Sequence, residues 1–446
     1  MFFFDHAIRF LGSLVWGPQM TVLLLGVGVY LTIRLRFIQI RKFRLSFKFL
    51  FGHKDLGESE KERKGDISPF QALTTSLAAT VGNGNIAGVC TAIAMGGPGA
   101  VFWMWILAFF GMATKLVEAL LGQRFKITAP DGTTAGGPMY YIKNGLHLPW
   151  LAGICAFFMG CKPLFSTTAI QSNSIALALD TQFGIQPWIS GLGLAFLTWL
   201  VIIGGIKSIA RVTEFLSPIM VFLYISGALI TIFIFYSEIP HAFSLIFRGA
   251  FNPSSITGGV AGATIARAIR YGFARGAYSN EAGTGTAAVF HASAKTSEPV
   301  RQGLIASIDV FIDTIVICTL TALTVLVTGV WTEGTSTGMT AAAFNAGIPK
   351  LGGMIVAFSS LLFGYSSLIA VPYYGETAFS YLLGTWIKKP FRWIFCIVIF
   401  IGSILTVETA WSIGDVFNGM MAFTNLIGVA GLSAVAFYSV KKYFSQ

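Results

Sequence analysis

Long, mostly apolar runs separated by short polar segments recur along almost the whole chain. A helix needs about 20 such residues, within a range of roughly 17 to 25, to cross the hydrocarbon core of a bilayer. We identify eleven runs of suitable length, which predict eleven membrane-spanning helices: residues 16–33, 68–94, 99–122, 150–178, 188–206, 212–236, 263–290, 302–331, 351–384, 391–408 and 414–438. The first run lacks an Ala-x-Ala-like cleavage site and precedes a basic loop, so we expect a retained helix.

The composition agrees with this pattern. Of the 446 residues, 54% are hydrophobic and only 11% are charged. That is too little polar surface to cover a soluble globule. We therefore predict an all-α polytopic membrane protein, located in the cell (plasma) membrane.

The basic residues are distributed unevenly between the two sets of loops. Twenty-two of the 30 Lys and Arg residues fall in residues 34–66, 123–149, 207–211, 291–301, 385–392 and 439–446, whereas the opposite loops hold Arg9, Arg248 and Lys350. Lys and Arg favour cytoplasmic loops. We therefore predict an N-terminus outside the cell and a cytoplasmic C-terminus. The net charge of +11 is explained by this topology, so no nucleic-acid partner is expected.

The sequence gives little support for an enzyme. Its five histidines are scattered through loops and span ends rather than grouped as metal ligands. The Gly-x-Ser-x-Gly motif of serine hydrolases does not occur. The five cysteines lie in apolar segments without metal-ligand spacing, which favours structural thiols in the core.

Two predicted helices carry glycine and asparagine where they cross the middle of the membrane. The second contains "TTSLAATVGNGNIAGV" (74–89) and the seventh contains "GFARGAYSNEAGTGTAAVFH" (272–291). Both residue types weaken a helix. Because an unsatisfied backbone group in hydrocarbon costs several kcal/mol, an unwound segment requires protein, water or solute as a partner. The alternative is that these glycines only allow close helix packing.

The spacing of the two interruptions favours a functional role. The second and seventh helices are five apart and therefore run in opposite directions through the membrane. Paired interruptions in two oppositely oriented halves are typical of secondary transporters with a midplane solute site. We predict a first repeat over 67–237 and an inverted repeat over 238–446, after an extra helix and basic loop in 1–66. A gated channel remains an alternative.

Such breaks have a definite chemistry. The half-helix that begins after a break offers free N–H groups and a positive dipole end to a carboxylate. The half-helix that ends before it offers carbonyl oxygens, which together with Asn, Ser or Thr oxygens suit Na⁺. The predicted ligand is therefore a zwitterion, accompanied by a cation.

Six motifs stand out along the chain: "GNGNIAGVCTAIAMGGPGAVFWMW", "GGPMYYI", "IQSN", "YGFARGAYSNEAG", "FIDTI" and "YYGE". They resemble the motifs of the alanine or glycine:cation symporter family and follow that family's order over essentially the whole chain. The resemblance implies a leucine-transporter-like fold with a 5+5 inverted repeat after one extra N-terminal helix. It also implies symport of a small amino acid, such as alanine or glycine, into the cell with Na⁺ or H⁺.

The resemblance also implies two sets of site residues. The substrate set is Asn83, Gly84, Asn85, Gln171, Ser279, Asn280, Gly283, Ser367 and Val371. In it the backbone amides of Asn83 and Gly84 face the substrate carboxylate, and Asn280 is the substrate-facing side chain. The Na⁺ set is Ala78, Val81, Asn85, Ser366 and Ser367. There the first two provide carbonyl oxygens and the others provide side-chain oxygens.

Two positions depart from the family pattern. Asn83 stands where Thr or Val is common, and Val371 stands where Trp is common. The loss of an aromatic wall at Val371 predicts a roomier pocket, unless Phe165 or Tyr365 fills the space. The identity of the amino acid is therefore left open, as is transport of another amino acid or a related solute.

Ionisable residues inside spans often serve function. The set is Lys115, Glu118, Lys162, Arg267, Arg270, Arg275, Glu281, Asp313 and Glu376. We expect an ion pair between Lys115 and Glu118, which are three residues apart on one helix. For Glu281 we favour pairing with Arg270 or Arg275 over a direct role with a cation or proton, and we interpret Asp313 and Glu376 similarly. H⁺ coupling needs a carboxyl that titrates near neutral pH, whereas the uncharged second-span site favours Na⁺.

The loop "HKDLGESEKERKGD" (53–66) carries both charge signs and follows the basic stretch "RLRFIQIRKFR". We interpret it as a solvated cytoplasmic loop, with a lipid-surface or regulatory element as the alternative. The expected partners are membrane lipid and a small amino acid, and no oligomeric state is predicted.

The predicted orientation can be tested with a single cysteine at Ser59. In a cysteine-free background, Ser59→Cys is expected to react with an impermeant thiol reagent in inside-out vesicles but not in intact cells. Lys350→Cys is the control on the opposite side and should give the reverse result. Labelling of Ser59→Cys in intact cells would contradict both the orientation and the inverted-repeat argument.

Overall fold

The computed structural model describes residues 11–445 except 13–14, 52–64, 252–264, 333, 335 and 406–407. In chain order, the helices of the first half are α1 (Pro18–Arg34), α2 (Ile38–Arg41), α3 (Phe43–Phe51), α4 (Pro69–Thr80), α5 (Val89–Gly96), α6 (Gly99–Arg124), α7 (Pro138–Leu146), α8 (Pro149–Lys162), α9 (Thr168–Phe183), α10 (Pro187–Ile202) and α11 (Gly205–Ile234). A small antiparallel hairpin of β1 (Ile127–Thr128) and β2 (Thr134–Ala135) follows α6.

The second half is also helical. Its helices are α12 (Ile239–Phe251), α13 (Ile265–Asn280), α14 (Thr286–Ala292), α15 (Pro299–Val310), α16 (Thr319–Val327), α17 (Ser336–Gly347), α18 (Gly352–Leu383), α19 (Lys388–Ile404), α20 (Glu408–Gly431) and α21 (Ser433–Ser445). Short π-helical segments occur at Gly84–Gly88, Pro163–Thr167 and Phe311–Cys318. Single 3₁₀ turns occur at Tyr236–Glu238, Val330–Thr332 and Thr385–Ile387.

Each predicted span coincides with a helix or with a helix pair. Among the described residues, six helices are long and apolar enough to cross a membrane. A seventh is added if α4 and the segment Gly84–Gly96, which meet at a bend of 53°, count as one span. The apolar helices α1 and α10 are shorter, at 17 and 16 residues. The polytopic helical architecture is thus confirmed, whereas the count of eleven spans stays a prediction.

Prolines and one polar cap explain where many helices begin. Proline occupies a first-turn position of α1, α4, α7, α8, α10 and α15, where its missing N–H would have no helical partner. At α4 the Ser68 side chain accepts a hydrogen bond from the Gln71 amide, and the Gln71 side chain accepts one from the Ser68 amide. This capping box fixes the start of the first broken span.

Helix α6 lies at the centre of the bundle, where glycines allow close approach of its neighbours. A Cβ atom on Gly122 would lie 2.5 Å from the carbonyl oxygen of Ala288 in α14, and one on Gly303 would lie 2.7 Å from that of Leu116. By contrast, a Cβ atom on Gly88 would meet nothing within 4 Å. Close packing therefore explains glycines around α6 but not Gly88 beside the first break.

The basic segments that we predicted to share one side contact one another. The Thr134 amide of the hairpin donates a hydrogen bond to Asp66, and Lys388 at the start of α19 forms a 2.6 Å ion pair with Asp131. Partial burial alone would raise the pKa of Asp131, but hydrogen bonds from Lys388 and from the hairpin outweigh it and lower the pKa to about 2. Loop residues 53–64 lie outside the described residues, as do Arg9 and Ser59.

Candidate functional site

The first break lies between α4 and α5. Helix α4 ends at Thr80, and the π-helical segment begins at Gly84. The Asn85 side-chain oxygen accepts a 2.9 Å hydrogen bond from the Gly82 amide. The predicted cation ligand Asn85 therefore satisfies a backbone group of its own break in this conformation.

Three further predicted residues meet at this break. The Gln171 side-chain oxygen accepts hydrogen bonds from the backbone and side-chain amides of Asn83, at 3.3 and 2.9 Å. The Asn83 side-chain oxygen accepts a 2.6 Å bond from Ser360. Gly82 faces both Gln171 and Ser367, because a Cβ atom on Gly82 would lie 2.6 Å and 2.8 Å from their polar atoms. The structure thus brings α9 and α18 to the first break, as the predicted substrate set requires.

Hydroxyl and carbonyl oxygens of the predicted Na⁺ set meet where α18 packs against the end of α4. Ser366 Oγ lies 3.3 Å from the Ala78 carbonyl oxygen and 2.9 Å from that of Phe363. Ser367 Oγ lies 3.1 Å from the same Phe363 oxygen. Val81 is fully buried at the end of α4. Uncharged oxygen atoms in a group of this kind are suitable ligands for Na⁺.

The second break covers residues 281–285, between α13 and α14. Glu281, Gly283 and Gly285 all have positive φ angles, of 53°, 94° and 85°. The Asn280 side chain donates to Thr314 at 3.0 Å and accepts from the Ala282 amide at 2.9 Å. Both polar atoms of Asn280 are therefore engaged within the protein in this conformation.

Our expectation of an ion pair between Lys115 and Glu118 is wrong. The Lys115 ammonium group instead binds the Asn280 carbonyl oxygen at 2.7 Å and the Asp309 carboxylate at 2.7 Å. Glu118 accepts a 3.1 Å hydrogen bond from the Gly285 amide and another from Asn425. The Lys115 cation thus binds the carbonyl end of α13, where the helix dipole is negative. The Glu118 carboxylate binds the amide at the start of α14, where the helix dipole is positive.

Asp309 is a buried residue that the sequence analysis missed. Its carboxylate accepts hydrogen bonds from Ser76 at 2.5 Å and from Thr80 at 2.9 Å, both in α4. Since the same carboxylate pairs with Lys115, it links the first broken span to the second. A signal was present, because Asp309 and Asp313 lie four residues apart and so face the same side of a helix.

Asp313 joins the two breaks directly. Its side chain accepts hydrogen bonds from Asn85 at 2.6 Å, from Ser279 at 2.8 Å and from Thr314 at 2.7 Å. Among the described residues, no Lys, Arg or His forms an ion pair with it. Our interpretation that an internal cation neutralises Asp313 is therefore wrong within the part of the chain that the structure describes. A fully buried carboxyl beside both breaks is instead a candidate for cation or proton binding.

Glu281 and Glu376 are both paired with basic residues, although the partner of Glu281 is unexpected. Glu281 pairs with Lys162, which also donates to Asn418 at 3.0 Å, so internal pairing is correct but the expected Arg270 or Arg275 is not the partner. Glu376 accepts two hydrogen bonds from Arg392, at 2.6 and 2.8 Å. These ion pairs satisfy charges that would otherwise be costly to bury.

Aromatic and ionic contacts cover one end of the site. The ring of Tyr278 lies 3.3 Å from a Cβ position on Gly84 and 5.0 Å, between ring centroids, from Trp411. Arg275 forms a 2.8 Å ion pair with Asp415, one turn along the same two helices.

The structure does not support Phe165 or Tyr365 as the residue that fills the space at Val371. Phe165 is 55% exposed, and the Tyr365 hydroxyl donates a hydrogen bond to the Leu197 carbonyl oxygen.

A main-chain clasp closes the opposite end. The Asp66 amide donates a 2.8 Å hydrogen bond to the Ser293 carbonyl oxygen, and the Lys295 amide donates one of 2.8 Å to that of Ile67. The Gln123 side chain donates to carbonyl oxygens of the same 291–294 segment. The segment before the first broken span is thereby tied to the segment after the second. Residues 81–85 and 281–285, which form the two breaks, are all buried in this conformation.

Val371 lies one turn after Ser367 on α18 and is fully buried. Residues four apart share a helix face, so Val371 extends the surface that Ser367 presents.

The three π-helical segments form another feature that the sequence analysis missed. The segment Gly84–Gly88 contains Asn85, the segment Pro163–Thr167 precedes Gln171, and the segment Phe311–Cys318 contains Asp313. Such π-helical segments are frequent at functional sites.

Comparisons with known proteins agree on one family. The model of the sodium:alanine symporter family matches residues 1–446. The chain is 43% identical to sodium/alanine symporter AgcS of Methanococcus maripaludis over 450 aligned positions, covering 99% of this chain and 97% of AgcS. It is 37% identical to the probable sodium/glutamine symporter GlnT of Bacillus subtilis, covering 99% and 91%.

A solved structure identifies the fold. The crystal structure of MhsT in complex with L-phenylalanine aligns with a TM-score of 0.59 at 14% identity, covering 86% of this chain and 99% of MhsT. At this identity the likeness concerns the fold alone, which is the predicted leucine-transporter-like fold.

Removal of one member of the Lys115–Asp309 pair is expected to destabilise the bundle. Lys115→Met leaves a buried carboxylate without its counter-charge, which costs about 3–5 kcal/mol and should lower the thermal unfolding midpoint in detergent. The double variant Lys115→Met/Asp309→Asn should recover much of the loss. The exposed Lys207→Met is the control, and equal stability of Lys115→Met and Lys207→Met would contradict the assigned role.

Proposed function

Because the chain belongs to the sodium:alanine symporter family, we propose that it imports a small amino acid, such as alanine or glycine, together with Na⁺. Family membership makes it a multi-pass membrane transporter rather than an enzyme. The observation that carries the proposal is the meeting of two broken helices, joined by Asn85 and Ser279 on one buried carboxylate, Asp313. Oppositely oriented breaks at one depth are the solute-binding arrangement of secondary transporters.

The amino acid is proposed to bind along the first break. Its carboxylate takes the backbone amides of Asn83 and Gly84, and the Gln171 side-chain oxygen that now occupies the first amide moves to the substrate ammonium group. The Tyr278 ring beside Gly84 limits the space for the substrate side chain. Ser279, Asn280, Gly283, Ser367 and Val371 form the rest of the proposed lining.

The coupling ion is proposed to be Na⁺. It binds the oxygens of Ala78, Val81, Ser366 and Ser367, and Asn85 contributes when solute binding changes the first break. The favoured ion is Na⁺ because these ligands carry no net charge that could take up a proton. H⁺ is the second candidate, and it rests on Asp313, a buried carboxyl with three hydrogen-bond donors and no ion pair among the described residues.

Transport requires the two closures to open in turn. We assign the main-chain clasp at Asp66–Ile67 and 293–295 to the cytoplasmic side, and the Tyr278–Trp411 and Arg275–Asp415 contacts to the outside. This assignment rests on the basic loops, which favour an N-terminus outside the cell and a C-terminus in the cytoplasm. The repeats 67–237 and 238–446 would then rock against each other, with residues 1–66 outside the symmetric unit.

The test is uptake by purified protein in liposomes. We expect labelled alanine or glycine to accumulate under an inward Na⁺ gradient, to saturate and to show counterflow. Accumulation driven by a pH gradient without Na⁺, and lost in Asp313→Asn, would support H⁺ coupling instead. A preference for another amino acid would replace alanine or glycine as the proposed substrate. One relative, GlnT, is a probable sodium/glutamine symporter. Flux that neither saturates nor shows counterflow would indicate a channel.

Substitution of the proposed cation ligands should weaken Na⁺ coupling. Ser366→Ala/Ser367→Ala removes two oxygens and is expected to raise the half-saturating Na⁺ concentration about tenfold or more, since a hydrogen bond or ligand to a charged group contributes about 1.5–3 kcal/mol. Ser359→Ala is the matched control, because this serine is buried on the same helix and its hydroxyl has no hydrogen-bond partner among the described residues. Unchanged Na⁺ dependence of the double variant would exclude this site.

Val371 is expected to set the upper size of the substrate. Val371→Trp should weaken inhibition of alanine uptake by valine about tenfold or more, since a methylene in an apolar pocket contributes about 1–3 kcal/mol. Inhibition by glycine should change little, with serine and cysteine between the two. Identical competition profiles at matched expression would show that Val371 does not limit the pocket.

A further inference from the structure

Five basic side chains converge on one groove at the end of the first spanning helix. The groove has a volume of about 590 Å³ and is lined by Arg34, Arg36, Arg41, Lys42 and Lys441. In the part of the chain that the structure describes, no acidic residue lines this groove and none of the five basic residues forms an ion pair. Like charges gathered in one groove repel one another, so this groove is suited to an anionic ligand.

Aromatic rings hold two of these cations in place. The Arg34 guanidinium carbon lies 5.1 Å from the centre of the Phe437 ring, and Lys42 Nζ lies 4.3 Å from that of Phe444. Such contacts orient a cation and leave its hydrogen-bond donors available. Both rings belong to α21, so the C-terminal helix forms one wall of the groove and α1 with α2 forms the other.

The backbone at the corner of the groove adopts an uncommon conformation. Arg36 and Phe37, between α1 and α2, both have positive φ angles, of 54° and 57°. Two consecutive non-glycine residues in this region are strained, and such strain is often retained where a side chain must be aimed at a ligand. Here the turn directs the chain sideways at the membrane boundary and puts Arg36 into the groove lining.

An apolar stripe leads from the groove along α1. Val22 and Ile33 are 70% and 58% exposed, Gly26 and Tyr30 lie between them at helical spacing, and the stripe ends at Arg34. The groove itself includes Leu35 and Val440 among its lining residues. A positively charged groove that continues into an exposed apolar stripe suits a molecule with an anionic head and a hydrocarbon tail.

We propose that this groove binds the phosphate headgroup of an anionic phospholipid, whose acyl chains lie along the exposed stripe of α1. A lipid fits better than a free phosphate because the stripe and the headgroup site are continuous. Basic pockets at the membrane boundary are known to take such headgroups. The lipid would fasten the extra N-terminal helix to the C-terminal helix, independently of the solute site.

The test measures lipid binding to delipidated protein by native mass spectrometry. Phosphatidylglycerol is compared with phosphatidylcholine of the same acyl chains, and inorganic phosphate is added as a competitor. We expect phosphatidylglycerol to bind selectively and to raise the thermal unfolding midpoint. Equal binding of both lipids would overturn the proposal. Displacement of the lipid by millimolar phosphate, or equal stabilisation by phosphate alone, would identify a free-anion site and also overturn it.

Two variants with the same loss of charge separate the groove from general electrostatic attraction. Arg36→Gln/Arg41→Gln/Lys42→Gln should bind phosphatidylglycerol about a hundredfold more weakly, as three cations at about fivefold each predict. The control is Arg44→Gln/Lys48→Gln/Lys442→Gln, whose positions are exposed and do not line the groove. It should retain the parent affinity within a few-fold, and an equal loss in both variants would contradict a specific site.

A second measurement does not depend on the folding of a variant. The parent protein is cross-linked with phosphatidylglycerol that carries a photoactivatable group close to its phosphate. Cross-links at residues 33–42 and 437–445 are expected. Cross-links confined to other parts of the surface would overturn the proposal.

Discussion

An unwound backbone inside a membrane requires partners for every amide and carbonyl group, and this constraint organises the structure. The chain meets it with charged side chains of α6, the central helix. Lys115 binds the carbonyl end of α13 and Glu118 binds the amide of Gly285 before α14. The two residues, one turn apart, thus match the negative and positive ends of the interrupted helix.

The same network couples the two broken spans. Asp309 receives the ammonium group of Lys115 and the hydroxyl groups of Ser76 and Thr80, so the first half-helix cannot shift without disturbing the support of the second break. Asp313, one turn further, holds one side chain from each break. A change at one break would therefore be transmitted to the other through short, buried contacts, as the coupling in the proposed symport requires.

Much of this architecture could be predicted from the sequence because its signals are local. Glycine and asparagine weaken a helix wherever they stand, so both interrupted spans were identified, and Ser366 does lie beside Ala78. The pairing of Lys115 failed because spacing along one helix cannot reveal a stronger partner on another. The spacing of Asp309 from Asp313 was a signal, but the contacts of Asp309 with Lys115, Ser76 and Thr80 join residues more than 190 positions apart. The same holds for the clasp that joins residues 66–67 to 293–295, and a single sequence does not reveal such contacts.

We expect the two breaks to respond to ligands as one unit, and hydrogen–deuterium exchange of the reconstituted protein can measure this at each break. Amide exchange at residues 81–85 and 281–285 should be compared in Na⁺, in alanine without Na⁺, and in both together, with choline replacing Na⁺ as the control. Strong protection is expected at both breaks only when Na⁺ and amino acid are present together. Protection of one break alone, or equal exchange under all conditions, would contradict it.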